Sequence, residues 1–190
     1  MELAELIRKY NPSNEQEKKD KEMILYSIET FDDVLTRNNK IMHMTSSAFV
    51  VNKKRDKALM VYHNIYNAWS LTGGHADGEE NLLSVAIKEA KEETGITNIS
   101  PIISDIFSLD VLSAMGHTRR GEYISGHLHL SVSYLLEADE EDALFIKPDE
   151  NSDVKWIPID QINEYSNEPH MRKIYDKLIS KAKILFCRNI

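Results

Sequence analysis

The chain has 190 residues, 42% of them hydrophobic and 28% charged, a balance typical of a soluble globular protein with one domain. Its formal net charge of −8 argues against non-specific binding to nucleic acid or to an anionic membrane. The single cysteine, Cys187, excludes an intrachain disulfide and a cysteine-rich zinc site. No apolar run approaches the roughly 18–20 residues that span a bilayer, and residues 1–10 lack the form of a signal peptide, so we expect a cytoplasmic protein.

Two amphipathic helices are predicted at the start of the chain. Apolar residues recur at one-face helical spacing up to Tyr10, Asn11-Pro12-Ser13 breaks the pattern, and a second apolar stripe runs from Met23 to Phe31. We expect residues 1–35 to form a helical extension of the main domain, which would take in residues 36–190. The sequence leaves open whether these helices cap a cleft, pack on a sheet or mediate a dimer.

The rest of the chain predicts an α/β fold with a mixed sheet and helices on both faces. Runs of alternating or continuous apolar residues predict strands over residues 42–51, 59–62, 102–112, 126–137 and 154–157. In the clearest of these strands, which begins near Gly126, apolar residues alternate with histidines and serines. The last apolar stripe, from Met171 to Leu185, predicts a C-terminal helix.

A further helix is predicted inside the segment Gly73–Ile96. Its apolar stripe follows the spacing i, i+3, i+4, i+7 and comprises Leu83, Ala86, Ile87 and Ala90. Asp77 and Glu80 are three residues apart, which is typical of a capping box at a helix start. Gly95 stands where a glycine with positive φ commonly ends a helix.

An acidic edge lies beside that apolar stripe. Glu89, Glu92 and Glu93 are at helical spacing, and each like-charged pair of this kind costs roughly 0.2–0.5 kcal/mol in an isolated helix. A cation between the carboxylates reverses that cost, and carboxylates suit Mg²⁺ or Mn²⁺. Gly73 and Gly74 would let the backbone approach a ligand closely. The segment therefore indicates metal-assisted chemistry on a phosphate compound; the alternative is an ordinary solvated helix.

The whole pattern resembles the Nudix hydrolase family, whose box reads G-x5-E-x7-R-E-U-x-E-E-x-G-U, with U an aliphatic residue. Gly74 is followed after five residues by Glu80, and seven more lead to residues 88–96, Lys-Glu-Ala-Lys-Glu-Glu-Thr-Gly-Ile. Every fixed position matches except the arginine, which is Lys88, and the first aliphatic position holds the small Ala90.

The resemblance implies a Nudix-type α/β/α sandwich that hydrolyses a diphosphate linkage in a nucleoside diphosphate bonded to another group, with Mg²⁺ or Mn²⁺ as cofactor. Position by position, it implies a metal-binding and catalytic set of three carboxylates, Glu89, Glu92 and Glu93. It also implies a metal contact from the Gly74 carbonyl, a supporting carboxylate at Glu80 and an orienting catalytic role for Lys88. Lysine keeps the charge of arginine but loses its bidentate fork. A homodimer is a further expectation from the family.

Two other functions share the fold that the resemblance implies. The change to Lys88 is compatible with a catalytically weakened binding or regulatory module. An isomerase of the isopentenyl-diphosphate type requires a cysteine well before the box, whereas the only cysteine here is Cys187. The sequence therefore favours the hydrolase.

Residues outside the box are candidates for substrate binding. His75 directly follows the Gly-Gly turn and could contact phosphate. Arg119 and Arg120, in the loop of residues 116–121, could bind phosphate because arginine binds it bidentately. Trp69 could stack on a base, with a place in the core as the alternative.

Three more polar residues have open roles. His127 and His129 face the same side of a predicted strand, yet no third histidine or cysteine stands at a recognisable metal-binding spacing. We therefore favour a cleft-lining or hydrogen-bonded role for them over a metal site. Glu150, in an acidic loop before a strand, is a candidate for the general base.

Overall fold

The computed structural model describes residues 3–119 and 121–188. The helices in these ranges are α1 (Leu3–Lys9), α2 (Glu15–Thr30), α3 (Leu82–Thr94), α4 (Ile162–Tyr165) and α5 (Pro169–Arg188), with a 3₁₀ turn at Ile159–Gln161. The strands are β1 (Met42–Asn52), β2 (Lys57–His63), β3 (Ala68–Ser70), β4 (Thr72–His75), β5 (Ile99–Pro101), β6 (Ser108–Ala114), β7 (His117–Arg119), β8 (Glu122–Ile124), β9 (His127–Ala138) and β10 (Asn151–Pro158). The predicted α/β class is confirmed.

Eight of these strands belong to one sheet. Its main path runs β10-β2-β1-β9-β5, with β3 paired to β2, β4 to β1 and β6 to β9. The strands β7 and β8 form a separate antiparallel hairpin in which Thr118 lies opposite Tyr123. The sequence did not predict this hairpin, because its short strands carry polar residues and lack an apolar period. No helix in the described ranges has the length and apolar character needed to cross a membrane.

Two compact units can be distinguished. The first comprises the described part of Met1–Ser47 together with Gly73–Ala86 and Ile103–Tyr134. The second comprises Ala48–Thr72, Ile87–Ile102 and the described part of Leu135–Ile190.

In the first unit, the N-terminal helices pack against the sheet. The Asn14 side chain caps α2 by accepting a hydrogen bond from the Glu17 backbone N–H at 2.8 Å. The buried Glu17 carboxylate then accepts a hydrogen bond from Ser108 at 3.0 Å, and Asp20 accepts one from the Val111 backbone at 2.8 Å. Of the three placements left open by the sequence, the structure shows packing on a sheet strand, β6.

In the second unit, β10 lies antiparallel along β2 from Asn151 to Pro158. The apolar stripe of α5 supplies fully buried residues to this unit, among them Tyr175, Leu178 and Ala182. The Tyr175 hydroxyl donates to the Trp69 carbonyl at 3.3 Å, which ties α5 to β3. The predicted C-terminal helix is thus confirmed as a core element.

One strand prediction needs correction, and another is confirmed. The strand predicted over residues 102–112 is wrong at its start: β6 begins at Ser108, and the polar pair Ser104-Asp105 lies in a bend. The predicted strand near Gly126 is confirmed as β9, and every residue from Leu130 to Leu136 is buried, on both faces of the strand. Ser133 is accommodated there by a 2.7 Å hydrogen bond between its hydroxyl and that of Ser47.

Candidate active site

The start of α3 differs from the predicted capping box. Asp77 is not the N-cap, because its backbone has a φ of 48° and its carboxylate accepts hydrogen bonds of 2.8 and 2.6 Å from Arg37. Asn81 caps the helix instead, since its side-chain oxygen accepts from the Ser84 backbone N–H at 3.2 Å. Glu80, predicted as a supporting carboxylate, is exposed ahead of the helix.

Three carboxylates meet in the second unit. Glu89 and Glu93 are one turn apart on α3, and Glu150 comes from the loop that precedes β10. One carboxylate oxygen from each of the three lies within 4.8 Å of the other two. We call Glu89, Glu93 and Glu150 the carboxylate group. It contains two of the three predicted box ligands and the loop residue that was considered as a general base.

The carboxylate group is partly withdrawn from water. Glu93 is 4% exposed, and the Glu89 side chain is 13% exposed. Burial is the main cause that raises the pKa of Glu89, with a smaller contribution from the charge of Glu92, while Lys88 opposes the shift. Burial and the nearness of like charges both destabilise the ionised carboxylates. A divalent cation among the three oxygens would therefore be stabilising. Oxygen-only donors are the set that suits Mg²⁺ or Mn²⁺.

Glu92 occupies a different environment from its neighbours. Its side chain is 43% exposed, and its oxygens lie 3.3 Å from the Lys147 ammonium and 3.7 Å from the Lys88 ammonium. In this structure Glu92 is therefore held by lysines beside the carboxylate group. Its predicted part in metal binding and catalysis stays a prediction.

Lys88 also lies beside this group. Its ammonium is 3.7 Å from the Glu89 carboxylate as well as from Glu92, and its side chain is 64% exposed. At these distances it makes loose ion pairs and no bidentate contact. The position is compatible with the predicted orienting role, in a weaker form than arginine would allow.

Lys147 connects the loop to the helix. Its ammonium lies 3.0 Å from Glu150 and 3.3 Å from Glu92. Burial opposes the charged form of Lys147, but hydrogen bonds to Glu150 and Glu92 outweigh burial and raise its pKa. The charged lysine thereby balances part of the negative charge at this site.

Asn151 fixes the loop that carries Glu150. The Asn151 side chain is buried, donates to the Glu93 carbonyl at 2.9 Å and accepts from the Lys147 backbone N–H at 3.1 Å. The Lys147 carbonyl in turn accepts from the backbone N–H groups of Glu150 and Asn151, both at 2.8 Å. This asparagine was missed from the sequence, where only its place between the acidic loop and a strand could have drawn attention to it.

The end of α3 is held by the same loop. Gly95 has a φ of 76°, as predicted for a glycine that ends a helix. A Cβ at this position would meet the Phe145 ring at 2.6 Å. The Phe145 backbone N–H also donates to the Thr94 carbonyl at 2.8 Å. The close approach of Phe145 gives Gly95 a second reason to lack a side chain.

The remaining predicted site residues lie in several places. Gly74 lies half-buried in β4, whereas Gly73 approaches the neighbouring chain so closely that a Cβ would lie 2.6 Å from the Ser46 carbonyl oxygen. Trp69 is 8% exposed and packs edge-on against Tyr62, the arrangement expected of the core alternative. Arg120 lies outside the described residues.

Arg119 belongs to β7, where its backbone lies opposite Glu122. Only the backbone of Arg119 is described, so its predicted phosphate contact, like that of Arg120, stays a prediction.

The structure places His75 among other histidines. His75 on β4 lies with His127 and His129 of β9 and with His43 of β1, and their ring nitrogens are within 4.8 Å of one another. Burial, followed by the neighbouring imidazoles, lowers the pKa of His129 to about 3. Burial also lowers the pKa of His43. His43 was missed from the sequence, because only strand pairing brings it to the other three.

The chain belongs to the NUDIX domain family, whose model matches residues 42–178. A curated relative is a probable DHNTP pyrophosphohydrolase from Lactococcus lactis subsp. cremoris, 28% identical over 105 residues. That match covers 55% of this chain and 60% of the relative, so it spans less than two thirds of the relative's length.

Solved structures share the fold. A Caenorhabditis elegans Ap4A hydrolase in a binary complex has a TM-score of 0.56 at 17% identity, covering 76% of this chain and 97% of the other. The NUDIX domain of Shewanella oneidensis NrtR, complexed with ADP-ribose, has a TM-score of 0.54 at 18% identity, covering 85% and 97%. At these identities the likeness shows the fold alone.

Proposed function

We propose that the protein is a divalent-metal-dependent hydrolase that cleaves a diphosphate linkage in a nucleoside diphosphate joined to another group, or in a related small diphosphate. The observation that carries this proposal is the carboxylate group, Glu89, Glu93 and Glu150, whose oxygens lie within 4.8 Å of one another in a chain of the NUDIX family. Its oxygen donors match Mg²⁺ or Mn²⁺, the cofactors we propose.

We assign separate roles in metal binding and catalysis to the chain's own residues. Glu89, Glu93 and Glu150 would hold the metal, with Glu92 as a further predicted ligand. The metal contact that the resemblance implies for the Gly74 carbonyl stays a prediction. Bound Mg²⁺ or Mn²⁺ supplies Lewis-acid chemistry, which lowers the pKa of water and neutralises charge that develops on phosphate. One of these glutamates would take the proton from the attacking water.

The names of similar proteins suggest which substrates to try first. The relatives are described as a probable DHNTP pyrophosphohydrolase, an Ap4A hydrolase and an ADP-ribose complex, so all three names concern nucleotide-like phosphate compounds. We therefore propose a small nucleotide or diphosphate as substrate. His75, Arg119 and Arg120 stay candidates for contacts to its phosphates.

The proposal is tested with a panel of nucleoside triphosphates, ADP-ribose and diadenosine tetraphosphate in the presence of Mg²⁺ or Mn²⁺. We expect wild type to turn over at least one compound. Glu93→Gln and Glu150→Gln should each lower kcat by at least about 100-fold, because each removes a charged group that acts in the transition state.

The matched control is Glu141→Gln, which makes the same chemical change at an exposed position of the second unit. We expect this control to keep the wild-type rate. Full activity in Glu93→Gln and Glu150→Gln would contradict the assignment of the carboxylate group as the metal site.

A second candidate is a NUDIX-fold module that binds its ligand without hydrolysing it. The observation that favours it is Lys88, whose side chain is 64% exposed and whose ammonium makes only loose ion pairs of 3.7 Å. Calorimetry against the same panel distinguishes the two candidates. Tight binding of a compound that is not turned over with either metal would favour the binding module.

A further inference from the structure

Four imidazoles form a cluster in the first unit, and none of these residues belongs to the carboxylate group. We call His43, His75, His127 and His129 the histidine cluster. Their ring centroids are 4.7–5.3 Å apart in the five pairs that make ring contacts. Strand pairing brings these side chains together, because β4 pairs with β1. His127 and His129 face the same side of β9, since side chains alternate along a strand.

Two of these rings are oriented by the backbone. The Nδ1 atom of His43 lies 3.0 Å from the Asn39 carbonyl oxygen, and Nδ1 of His127 lies 2.8 Å from the Ser125 carbonyl oxygen. A carbonyl can only accept, so each Nδ1 carries the proton and each Nε2 presents a lone pair. Metal-binding histidines commonly have this arrangement, because the outer hydrogen bond fixes the tautomer and the ring orientation.

Two of the Nε2 atoms lie close together. Nε2 of His127 is 3.1 Å from Nε2 of His129. Nε2 of His43 is buried and makes no hydrogen bond within the described residues, while the His43 residue as a whole is 4% exposed. An unmatched buried acceptor is costly to keep. A ligand that accepts electron pairs from nitrogen would remove that cost.

We propose that the histidine cluster is a second metal site, which binds a late first-row transition-metal ion of the Zn²⁺ type through four imidazole nitrogens. Imidazole suits Zn²⁺, Cu²⁺ and Ni²⁺, whereas the oxygen-only carboxylate group suits Mg²⁺ or Mn²⁺. The two sites thus select different ions by donor chemistry. The hydrolase proposal does not require this site; metal binding by His75 would replace only the phosphate contact predicted for that residue.

The geometry requires only small side-chain movements. Four nitrogens about 2.0–2.1 Å from a tetrahedral zinc lie roughly 3.3 Å from one another. The His127–His129 pair is already at 3.1 Å, and all the nitrogens lie within 4.8 Å. The widest separation therefore closes by about 1.5 Å on binding, within reach of rotations about the side-chain torsions.

A four-histidine site has a structural consequence. Four protein ligands close a tetrahedral zinc, which is the pattern of structural sites rather than catalytic ones. The metal would tie together three strands, β1, β4 and β9. His75 directly follows Gly74, so zinc would also fix the strand that leads into the predicted metal-binding segment. We therefore expect zinc to stabilise the fold.

The test begins with a variant that lacks the other metal site. Full-length Glu89→Gln/Glu93→Gln protein, stripped of metal by a chelator, is titrated with Zn²⁺ in a calorimeter. We expect it to bind one zinc ion per chain, because the histidine cluster is intact. Adding His129→Asn to this background should weaken zinc binding by at least about 10-fold, since one ligand is lost from a four-ligand set.

The matched control adds His170→Asn to the same background, because His170 is an exposed histidine outside the cluster. This control should bind zinc as its parent does. Retention of equal zinc affinity by a folded His129→Asn protein, with folding checked by circular dichroism, would overturn the proposal.

A second measurement does not depend on variants. X-ray absorption of wild-type protein loaded with one equivalent of Zn²⁺ should show a nitrogen shell at about 2.0 Å with imidazole outer scattering. A shell of carboxylate oxygens, or no retained zinc, would overturn the proposal even if His129→Asn failed to fold.

Discussion

Lys88 is the residue at which this chain departs from its family's box, and its environment explains what the change alters. The ammonium lies 3.7 Å from the carboxylates of both Glu89 and Glu92, too far for a short charge-assisted hydrogen bond. Arginine could span both carboxylates with its planar fork. The substitution therefore keeps the charge and loses geometric control.

We expect Lys88→Arg to raise kcat/KM by about 3–10-fold, because about 1 kcal/mol is a reasonable gain from a better oriented ion pair. Lys88→Met should lower it. Steady-state kinetics on the substrate found in the panel would measure both. Lys91→Arg makes the same change at an exposed α3 position and serves as the control. Equal rates for all four proteins would show that Lys88 is only a solvated side chain.

Gly95 gives a prediction for stability at the same scale. Gly95→Ala should lower the free energy of unfolding by about 2–4 kcal/mol, since it adds a Cβ at a φ of 76° and 2.6 Å from the Phe145 ring. Gly78→Ala is a matched control, because Gly78 also has a positive φ but would meet nothing within 4 Å. Urea unfolding should show a smaller loss for Gly78→Ala; an equal loss would argue against the clash with Phe145.

At the scale of elements, the loop before β10 is attached to α3 through Asn151. We expect Asn151→Ala to destabilise the protein by about 1–3 kcal/mol, because it leaves the Glu93 carbonyl and the Lys147 N–H without the side-chain partner they now have. It should also weaken Mn²⁺ binding, since the loop presents Glu150. Chemical denaturation and Mn²⁺ titration would measure the two effects.

Asn64→Ala is the control for this loop. Asn64 also bonds the loop, donating to the Pro148 carbonyl at 3.2 Å, but from an exposed position. We expect its loss to cost only a few tenths of a kcal/mol, because water replaces an exposed hydrogen bond. If both asparagine variants bound Mn²⁺ as wild type does, the proposed anchoring of Glu150 would be wrong.

For the molecule as a whole, we expect the free energy of unfolding to depend on pH through the ionisation of Glu140. Its carboxylate is bonded by Lys57 at 2.9 Å, Asn52 at 3.1 Å and Lys54 at 3.2 Å. The bond from Lys57 is the main cause that lowers the pKa of Glu140 from 4.5 to about 2. Since the folded pKa lies below the unfolded value, this stabilisation is complete above about pH 4.5 and disappears as the pH falls toward 2.

Glu140→Gln should therefore be less stable than wild type at pH 7, and the difference should shrink between pH 4.5 and pH 2. Urea unfolding at a series of pH values measures it, with the exposed Glu141→Gln as the control. A difference that stayed constant down to pH 2 would show that charge on Glu140 is not its cause.

What could be predicted from the sequence was mostly local. Periodicity placed part of the buried face of α3, where Ala86 and Ala90 are buried but Leu83 and Ile87 are only half-buried. The glycine rule placed the positive φ of Gly95, because it depends on near neighbours. The capping box failed because Arg37, distant in the chain, holds Asp77 in another conformation. Local patterns cannot report such a partner.

The residues of the candidate site were also predictable only where they are close together in the sequence. The box placed Glu89 and Glu93 on one helix edge, whereas Glu150 reaches them only through the fold. The histidine cluster is a stronger example, because His43 meets His127 and His129 through long-range strand pairing that no spacing encodes.

The central claim is that Glu89, Glu93 and Glu150 together bind a divalent metal. Its most direct test is the anomalous diffraction of crystals grown with Mn²⁺. We predict an anomalous peak among these three carboxylates, within bonding distance of oxygens from at least two of them. A peak that lay elsewhere, with the three side chains left free of metal, would contradict the account.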